Sequence, residues 1–156
     1  MSLSPGDKAP DFDLPTDDGH VSLAGLKGKT VVLYFYPKDD TSGCTAEAQG
    51  FTAAAGDFAK AGAVVVGVSK DSAVSHGKFR SKYELKVVLG SAKDDDVVER
   101  YGAWVEKSMY GRKYMGVDRS TFLIDKGGTI RQVWRKVKVP GHVAEVLKAA
   151  QGLANA

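Results

Sequence analysis

Cysteine is almost absent from this chain of 156 residues, which contains one, Cys44. A single cysteine excludes a disulfide within the chain. A zinc site needs about four clustered ligands, and the three histidines, at positions 20, 76 and 142, are dispersed along the sequence. We therefore expect no metal and no other cofactor. The open question is whether Cys44 fills the core or acts as a nucleophile.

Long apolar runs are also missing. No window offers about 18 consecutive apolar residues, so a membrane span is not expected. The N-terminal segment lacks a basic stretch followed by an apolar one, so we expect no secretory signal and a cytoplasmic location. The formal charge of +3 is too mild to indicate nucleic acid as a partner. The hydrophobic content of 43% suffices for one core, which predicts a single domain over residues 1–156.

Two continuous runs of β-branched and aromatic residues predict strands that are buried on both faces. These runs are Thr30–Tyr36 and Ala63–Ser69. The stretch from about Ser42 to Lys60 between them has helical character. A strand, a helix and a strand at this length predict a right-handed crossover in a mainly parallel sheet.

The remaining segments complete an α/β fold. "FDLPTDDGHVSL" predicts an N-terminal β-hairpin that turns at Asp18-Gly19. "DSAVSHGKFRSKYEL" and "DDDVVERYGAW" predict short helices, and "GHVAEVLKAAQGL" predicts a final helix. "STFLID" and "TIRQVWRKV" predict an antiparallel pair. We therefore expect a central mixed β-sheet with helices on both sides.

Cys44 lies where the first predicted strand passes into a helix. Pro37 ends the strand, a polar loop follows, and Thr41, Ser42 and Gly43 are residues that favour a helix start. Cys44 then falls in the first helical turn, where unpaired backbone N–H groups and the helix dipole favour an anion. A thiol in such a position has a lowered pKa, and the thiolate is its reactive form.

The same helix carries one apolar stripe, which consists of Cys44, Ala48, Phe51, Ala55 and Phe58. The sulfur should therefore be directed into the structure. A cysteine that merely fills the core predicts this stripe equally well. It does not explain the Thr–Ser–Gly entry to the helix or the polar end of the preceding strand.

"FYPKDDTSGCTAEAQGF" resembles the active-site segment of the peroxiredoxins, and within them the bacterioferritin comigratory protein, or peroxiredoxin Q, subgroup. The peroxiredoxin pattern is Pro, three residues, Thr, two residues, Cys, and Pro37, Thr41 and Cys44 match it. The resemblance covers nearly the whole chain. "GDKAPDFDLPTDDG" matches the family's opening, "DRSTFLID" the strand that carries its arginine, and "WRKVKVPGHVAEVL" the entry to its last helix.

The resemblance implies a thioredoxin-like fold and a thiol-dependent peroxidase that reduces hydrogen peroxide and organic hydroperoxides in antioxidant defence. Cys44 would be the peroxidatic cysteine, and Thr41 would hydrogen-bond the thiolate and the substrate, with or without capping the helix. Pro37 would shield the sulfur from water, and Arg119 would reach in from a neighbouring strand end. The reductant would be thioredoxin, glutaredoxin or a small thiol, and the chain would be a monomer or a weak homodimer.

The chain departs from the subgroup in lacking a second cysteine. Many members have a resolving cysteine five residues after the first, where this chain has Gln49, or in the next helix near Arg80. The subgroup also usually has proline at Ser42. We therefore expect a one-cysteine form whose sulfenic acid is reduced by an external thiol. Two alternatives remain: a thioredoxin-fold binding protein or holdase with an unreactive Cys44, and a thiol–disulfide reductase, which the missing Cys-x-x-Cys disfavours.

Overall fold

A computed structural model of the chain describes residues 3–155. The strands, in chain order, are β1 (Asp13–Thr16), β2 (Gly19–Ser22), β3 (Thr30–Phe35), β4 (Ala63–Ser69), β5 (Val88–Ser91), β6 (Trp104–Met109), β7 (Arg112–Val117), β8 (Ser120–Ile124) and β9 (Ile130–Trp134). The helices are α1 (Ser42–Ala53), α2 (Ala55–Lys60), α3 (Ala73–Tyr83), α4 (Val97–Arg100) and α5 (His142–Ala154). A single 3-10 turn covers Ala24–Leu26.

The centre of the fold is a five-stranded sheet in the order β5-β4-β3-β8-β9. Strand β3 pairs parallel with β4 and antiparallel with β8, so the sheet is mixed, as predicted. Every residue of β3 is buried because apolar layers cover both faces of the sheet. The two predicted central strands are confirmed, and the first of them ends one residue earlier than expected.

Helices cover both faces of this sheet. Alternate residues of β3 point to opposite layers, Val31, Leu33 and Phe35 to one and Val32 and Tyr34 to the other, which Tyr36 joins just after the strand. The first layer is completed by the β1–β2 hairpin and α4. The second layer contains buried residues of α1, α2, α3 and α5, including Cys44. The predicted α/β fold, with a central mixed sheet and an N-terminal hairpin, is therefore confirmed.

Several details differ from the sequence prediction. The predicted helix from Ser42 to Lys60 is divided at Ala54, although no proline or glycine occupies that position. The N-terminal hairpin turns at Asp17-Asp18, one residue earlier than predicted, because Thr16 pairs with Gly19. Strand β5 and the separate two-stranded β6–β7 ribbon were not predicted. The ribbon is largely exposed and has no clear apolar alternation.

The helices within residues 3–155 include none that is long and apolar enough to cross a membrane.

Gly67 of β4 is required by the packing of Tyr34 on the neighbouring strand. A Cβ atom at position 67 would lie 2.6 Å from Tyr34 Cζ. The Tyr34 ring is stacked on Phe51 with ring centroids 4.7 Å apart, so it cannot easily move aside. Gly67→Ala should lower the free energy of unfolding by about 1–3 kcal/mol, the usual effect of overpacking a core.

Gly56→Ala is the matched control, to be compared with Gly67→Ala by urea denaturation. Gly56 lies in α2, and an added Cβ there has no neighbour within 4 Å. This variant should keep the stability or raise it by up to about 1 kcal/mol, because alanine favours a helix. Equal stabilities of the two variants would contradict the packing described for Tyr34.

Candidate active site

The loop between β3 and α1 determines where the helix begins. Thr41 has extended backbone angles, φ −90° and ψ 156°, and α1 starts at the next residue, as predicted. The Thr41 hydroxyl does not cap the helix; it donates a hydrogen bond to the carbonyl oxygen of Lys38 at 2.9 Å. The capping role considered for this side chain is therefore wrong. Thr41 itself is exposed.

Cys44 lies in the first turn of α1 and is buried, with 1% of its surface exposed. Ala48 and Phe51 continue the same buried face of the helix, and Phe58 of α2 joins the same core layer. The predicted direction of the sulfur into the structure is confirmed. Cys44 is a free cysteine.

Arg119, the residue before β8, brings its guanidinium to Cys44. Its Nη2 donates to Cys44 Sγ at 3.3 Å, and its Nη1 donates to Glu47 Oε1 at 2.7 Å. One planar cation thus joins two residues that are three apart on the same face of α1. Gly43 makes room for it, since a Cβ there would lie 3.3 Å from Nη2.

Glu47 is a site residue that sequence reasoning missed. Its side chain is fully buried, and its Oε2 has no hydrogen-bond partner among residues 3–155. Burial raises the pKa of Glu47 to about 7, although the nearby Arg119 acts in the opposite direction. The sequence did contain a clue to this role, because Glu47 lies three residues after the cysteine and next to an otherwise apolar stripe. A carboxylate can be buried there only with a cation beside it.

Arg119 remains a cation in this environment. Burial acts to lower its pKa, but Glu47 and Cys44 together raise the pKa of Arg119 above its ordinary value. The guanidinium is partly buried, with 16% of its side chain exposed. Arg119 therefore places a positive charge beside the sulfur, where it can make a charge-assisted contact.

The other two predicted site residues stand at the surface. The side chains of Pro37 and Thr41 are exposed, while Cys44 and Arg119 are in direct contact. The hydrogen bonds within residues 3–155 include none between Thr41 and Cys44. The roles of Pro37 and Thr41 at the sulfur stay predictions.

The fold and the site define a class of protein. A cysteine at a helix N-terminus, in contact with a fixed cation, has the features of an activated sulfur nucleophile. The helix that carries it packs on a mixed sheet, and the sequence provides no second cysteine. This combination defines a thiol-dependent redox enzyme that works with one sulfur.

Comparison with known proteins identifies the family. Residues 5–133 match the AhpC/TSA family. The chain is 57% identical over 148 residues to a putative peroxiredoxin Bcp of Coxiella burnetii, covering 94% of this chain and 98% of that protein. It is 47% identical over 154 residues to peroxiredoxin Bcp of Bacillus subtilis, covering 98% of each.

Solved structures agree with this assignment. The bacterioferritin comigratory protein of Xanthomonas campestris, studied for alkyl peroxide reduction, superimposes with a TM-score of 0.87 at 41% identity and covers 92% of each chain. A cysteine-to-serine mutant of Xylella fastidiosa PrxQ gives a TM-score of 0.91 at 34% identity, covering 97% of this chain and 98% of that one.

The chain belongs to the AhpC/TSA family of peroxiredoxins. It is a thiol-dependent peroxidase, as the sequence resemblance implied.

The raised pKa of Glu47 predicts a pH-dependent stability. The folded protein holds this proton up to about pH 7, whereas the ordinary value is 4.5. This contribution to stability is fully present below pH 4.5 and is lost as the pH rises through 7. The loss amounts to at most about 3 kcal/mol.

Glu47→Gln tests whether Glu47 causes this pH-dependent stability, because the amide has nearly the same shape as the carboxyl group and does not ionise. Urea unfolding at about pH 5 and about pH 8 should show the wild type losing stability relative to the variant. Glu106→Gln, which changes an exposed carboxyl on β6, is the control and should follow the wild type. Parallel pH profiles for the wild type and Glu47→Gln would refute the prediction.

Proposed function

We propose that the chain reduces hydrogen peroxide and organic hydroperoxides through a sulfenic acid on Cys44, and that an external thiol regenerates it. The observation that carries this proposal is the 3.3 Å contact from Arg119 Nη2 to Cys44 Sγ in the first turn of α1. The Xanthomonas campestris relative is described for alkyl peroxide reduction, which supports an organic hydroperoxide as one substrate.

In the first step the Cys44 thiolate attacks one oxygen of the hydroperoxide. An S–O bond forms, the O–O bond breaks, and the sulfur is oxidised to a sulfenic acid. The departing oxygen takes the electron pair and then a proton, leaving as water or an alcohol. The Arg119 cation and the free N–H groups of the first turn of α1 stabilise the negative charge that develops on this oxygen.

Glu47 acts as a positioning residue for Arg119. Its Oε1 holds Nη1 at 2.7 Å, which sets the plane of the guanidinium and aims Nη2 at the sulfur. Because the fork is rigid, one such bond orients the other donors. Glu47 thus acts through Arg119 and need not touch the substrate.

Thr41 and Pro37 complete the proposed site. The Thr41 hydroxyl already donates to Lys38, and its oxygen lone pairs stay available to accept a hydrogen bond from a hydroperoxide O–H. Pro37, with no backbone N–H and a fixed ring, would limit the approach of water to the sulfur. The spacing of these residues relative to Cys44 supports both roles.

The second step needs a thiol from outside the chain. A first thiol attacks the sulfenic sulfur, which forms a mixed disulfide and releases water. A second thiol attacks the mixed disulfide, restores the Cys44 thiol and leaves as part of an external disulfide. Thioredoxin, glutaredoxin or a small thiol could supply these groups. The cytoplasmic location and the monomeric or weakly dimeric state stay predictions.

Arg119 should account for a large part of the peroxide rate. Arg119→Ala should slow the single-turnover reduction of hydrogen peroxide by about 10²–10³-fold, the scale for losing one preorganised donor. Arg119→Lys should recover only part of this, since a point charge cannot reproduce the planar fork. Arg131→Ala removes an exposed arginine of β9 and serves as the control. Wild-type rates in Arg119→Ala, or full activity in Cys44→Ser, would rule out the proposed site.

Without a thiol, excess peroxide should over-oxidise Cys44. The intact mass should rise by about two or three oxygen atoms, and a non-reducing gel should show little dimer. A Cys44–Cys44 bridge needs two Cα atoms within about 7 Å, and two buried sulfurs could meet only if the first turn of α1 unwound in both chains. A thiol added before a second equivalent of peroxide should restore the starting mass. Rapid, near-complete dimer at equimolar peroxide would instead indicate a two-chain cycle.

A further inference from the structure

The loop that leads into α1, residues 37–41, is tied to the neighbouring helix α3 by its two aspartates. We call this segment the active-site loop. Asp39 Oδ1 accepts a hydrogen bond from the Tyr36 hydroxyl at 2.6 Å. Asp39 Oδ2 accepts one from Ser75 Oγ at 2.8 Å and lies 2.7 Å from His76 Nδ1. The Asp39 and His76 side chains are buried, at 5% and 0% exposure.

His76 connects this contact to the sheet. Its Nε2 lies 3.1 Å from the carbonyl oxygen of Gly90 in β5, and a carbonyl can only accept, so Nε2 carries a proton. The Asp39 backbone N–H also donates to Asp71 Oδ2 at 2.8 Å, in the segment before α3. Every contact made by Asp39 therefore resists displacement of the active-site loop.

Asp40 makes a second attachment to the same helix. Its Oδ1 accepts a hydrogen bond from the Tyr83 hydroxyl at 2.6 Å, and its Oδ2 accepts one from Lys82 Nζ at 2.7 Å. Asp40 has a φ of +61°, which L-residues rarely adopt. The two side-chain contacts hold this unfavourable backbone in place.

The partners that the two aspartates have on α3 lie along one face of that helix. Ser75 and His76 precede Lys82 and Tyr83 by seven residues, which is about two helical turns. The active-site loop is therefore docked along α3 at two points. Thr41, its last residue, provides the carbonyl oxygen for the first backbone bond of α1, from Thr45 N–H at 2.8 Å.

The buried sulfur makes this docking relevant to the second step of the reaction. A hydroperoxide is small, but a thiol must form a bond to a sulfur that is 1% exposed. The first turn of α1 must open for that bond to form, and the active-site loop must then leave α3. This inference rests on the proposed function. We propose that Asp39 and Asp40 are positioning residues whose contacts hold the active-site loop on α3, and we call these contacts the latch. Release of the latch limits the rate of the thiol step.

A latch of this kind affects the two steps differently. The thiol rate follows the small fraction of molecules that are open, so a weaker latch raises it in proportion. The peroxide rate follows the closed fraction, which stays near one until opening becomes favourable. A residue that merely supported the fold would instead lower both rates together.

Asp40→Ala is the test variant because Asp40 lies at the surface and its loss should leave the core intact. One equivalent of hydrogen peroxide first converts the reduced protein to the sulfenic acid, and dithiothreitol is then added in a second rapid mixing. The rate constant for dithiothreitol should rise by about 3–10-fold, while that for hydrogen peroxide stays within about twofold of the wild type. Tyr83→Phe, which removes one hydroxyl, should give a smaller change in the same direction.

A structural readout distinguishes faster opening from other causes. Hydrogen exchange of the Thr45 amide, which reports opening of the first turn of α1, should accelerate by about the same factor as the thiol step. Asp57→Ala, which changes an exposed aspartate on α2, is the control and should alter neither rate.

The outcomes separate this inference from the proposed function. Unchanged dithiothreitol and exchange rates in both Asp40→Ala and Tyr83→Phe would overturn the latch, as would an equal fall in both reaction steps. Either result leaves the peroxide step of the wild type intact. A wild type that does not consume peroxide would instead refute the proposed function itself.

Discussion

The contact of the Arg119 guanidinium with both Cys44 and Glu47 is the interaction on which the site depends. A cation buried in this way needs anionic partners, and a buried carboxylate needs a cation. Strand β8 brings the arginine to the first turn of α1 from 75 residues away in the sequence. The buried faces of the sheet keep both elements in register, so the packing of the core fixes the geometry at the sulfur.

The same packing creates a conflict between the two halves of a peroxidase cycle. Burial of Cys44 keeps water away and strengthens the electrostatic contact to Arg119. It also prevents a thiol from reaching the oxidised sulfur. A chain without a second cysteine cannot resolve this conflict by forming an internal disulfide, so the stability of the active-site loop becomes part of the chemistry. The aspartates of that loop are the residues through which this stability can be adjusted.

The sequence predicted those features that follow from local patterns. Continuous apolar runs identify β3 and β4 because buried strands need such runs, and the polar entry to α1 placed Cys44 at the start of a helix. The resemblance to the peroxiredoxins added Arg119, which no local pattern connects to the cysteine. Contacts between distant segments, such as Arg119 with Glu47 or Asp39 with His76, need the folded chain.

Other misses have equally specific causes. The division between α1 and α2 occurs in an alanine-rich stretch that favours an unbroken helix, so tertiary packing decides it. Thr41 has a good capping side chain, yet its hydroxyl bonds back to Lys38 within the loop. The β6–β7 ribbon is held by its own strand pairing, and its exposed residues lack the alternation that identifies a half-buried strand.

The most direct test of the account is to locate the first oxidation product. The reduced protein would receive one equivalent of hydrogen peroxide and then a cyclic dione that traps sulfenic acids, and the adduct would be mapped by peptide mass spectrometry. The account predicts one adduct, on the peptide that contains Cys44, formed to an extent that matches the peroxide consumed. Peroxide consumption at the full rate with no adduct on Cys44 would contradict it.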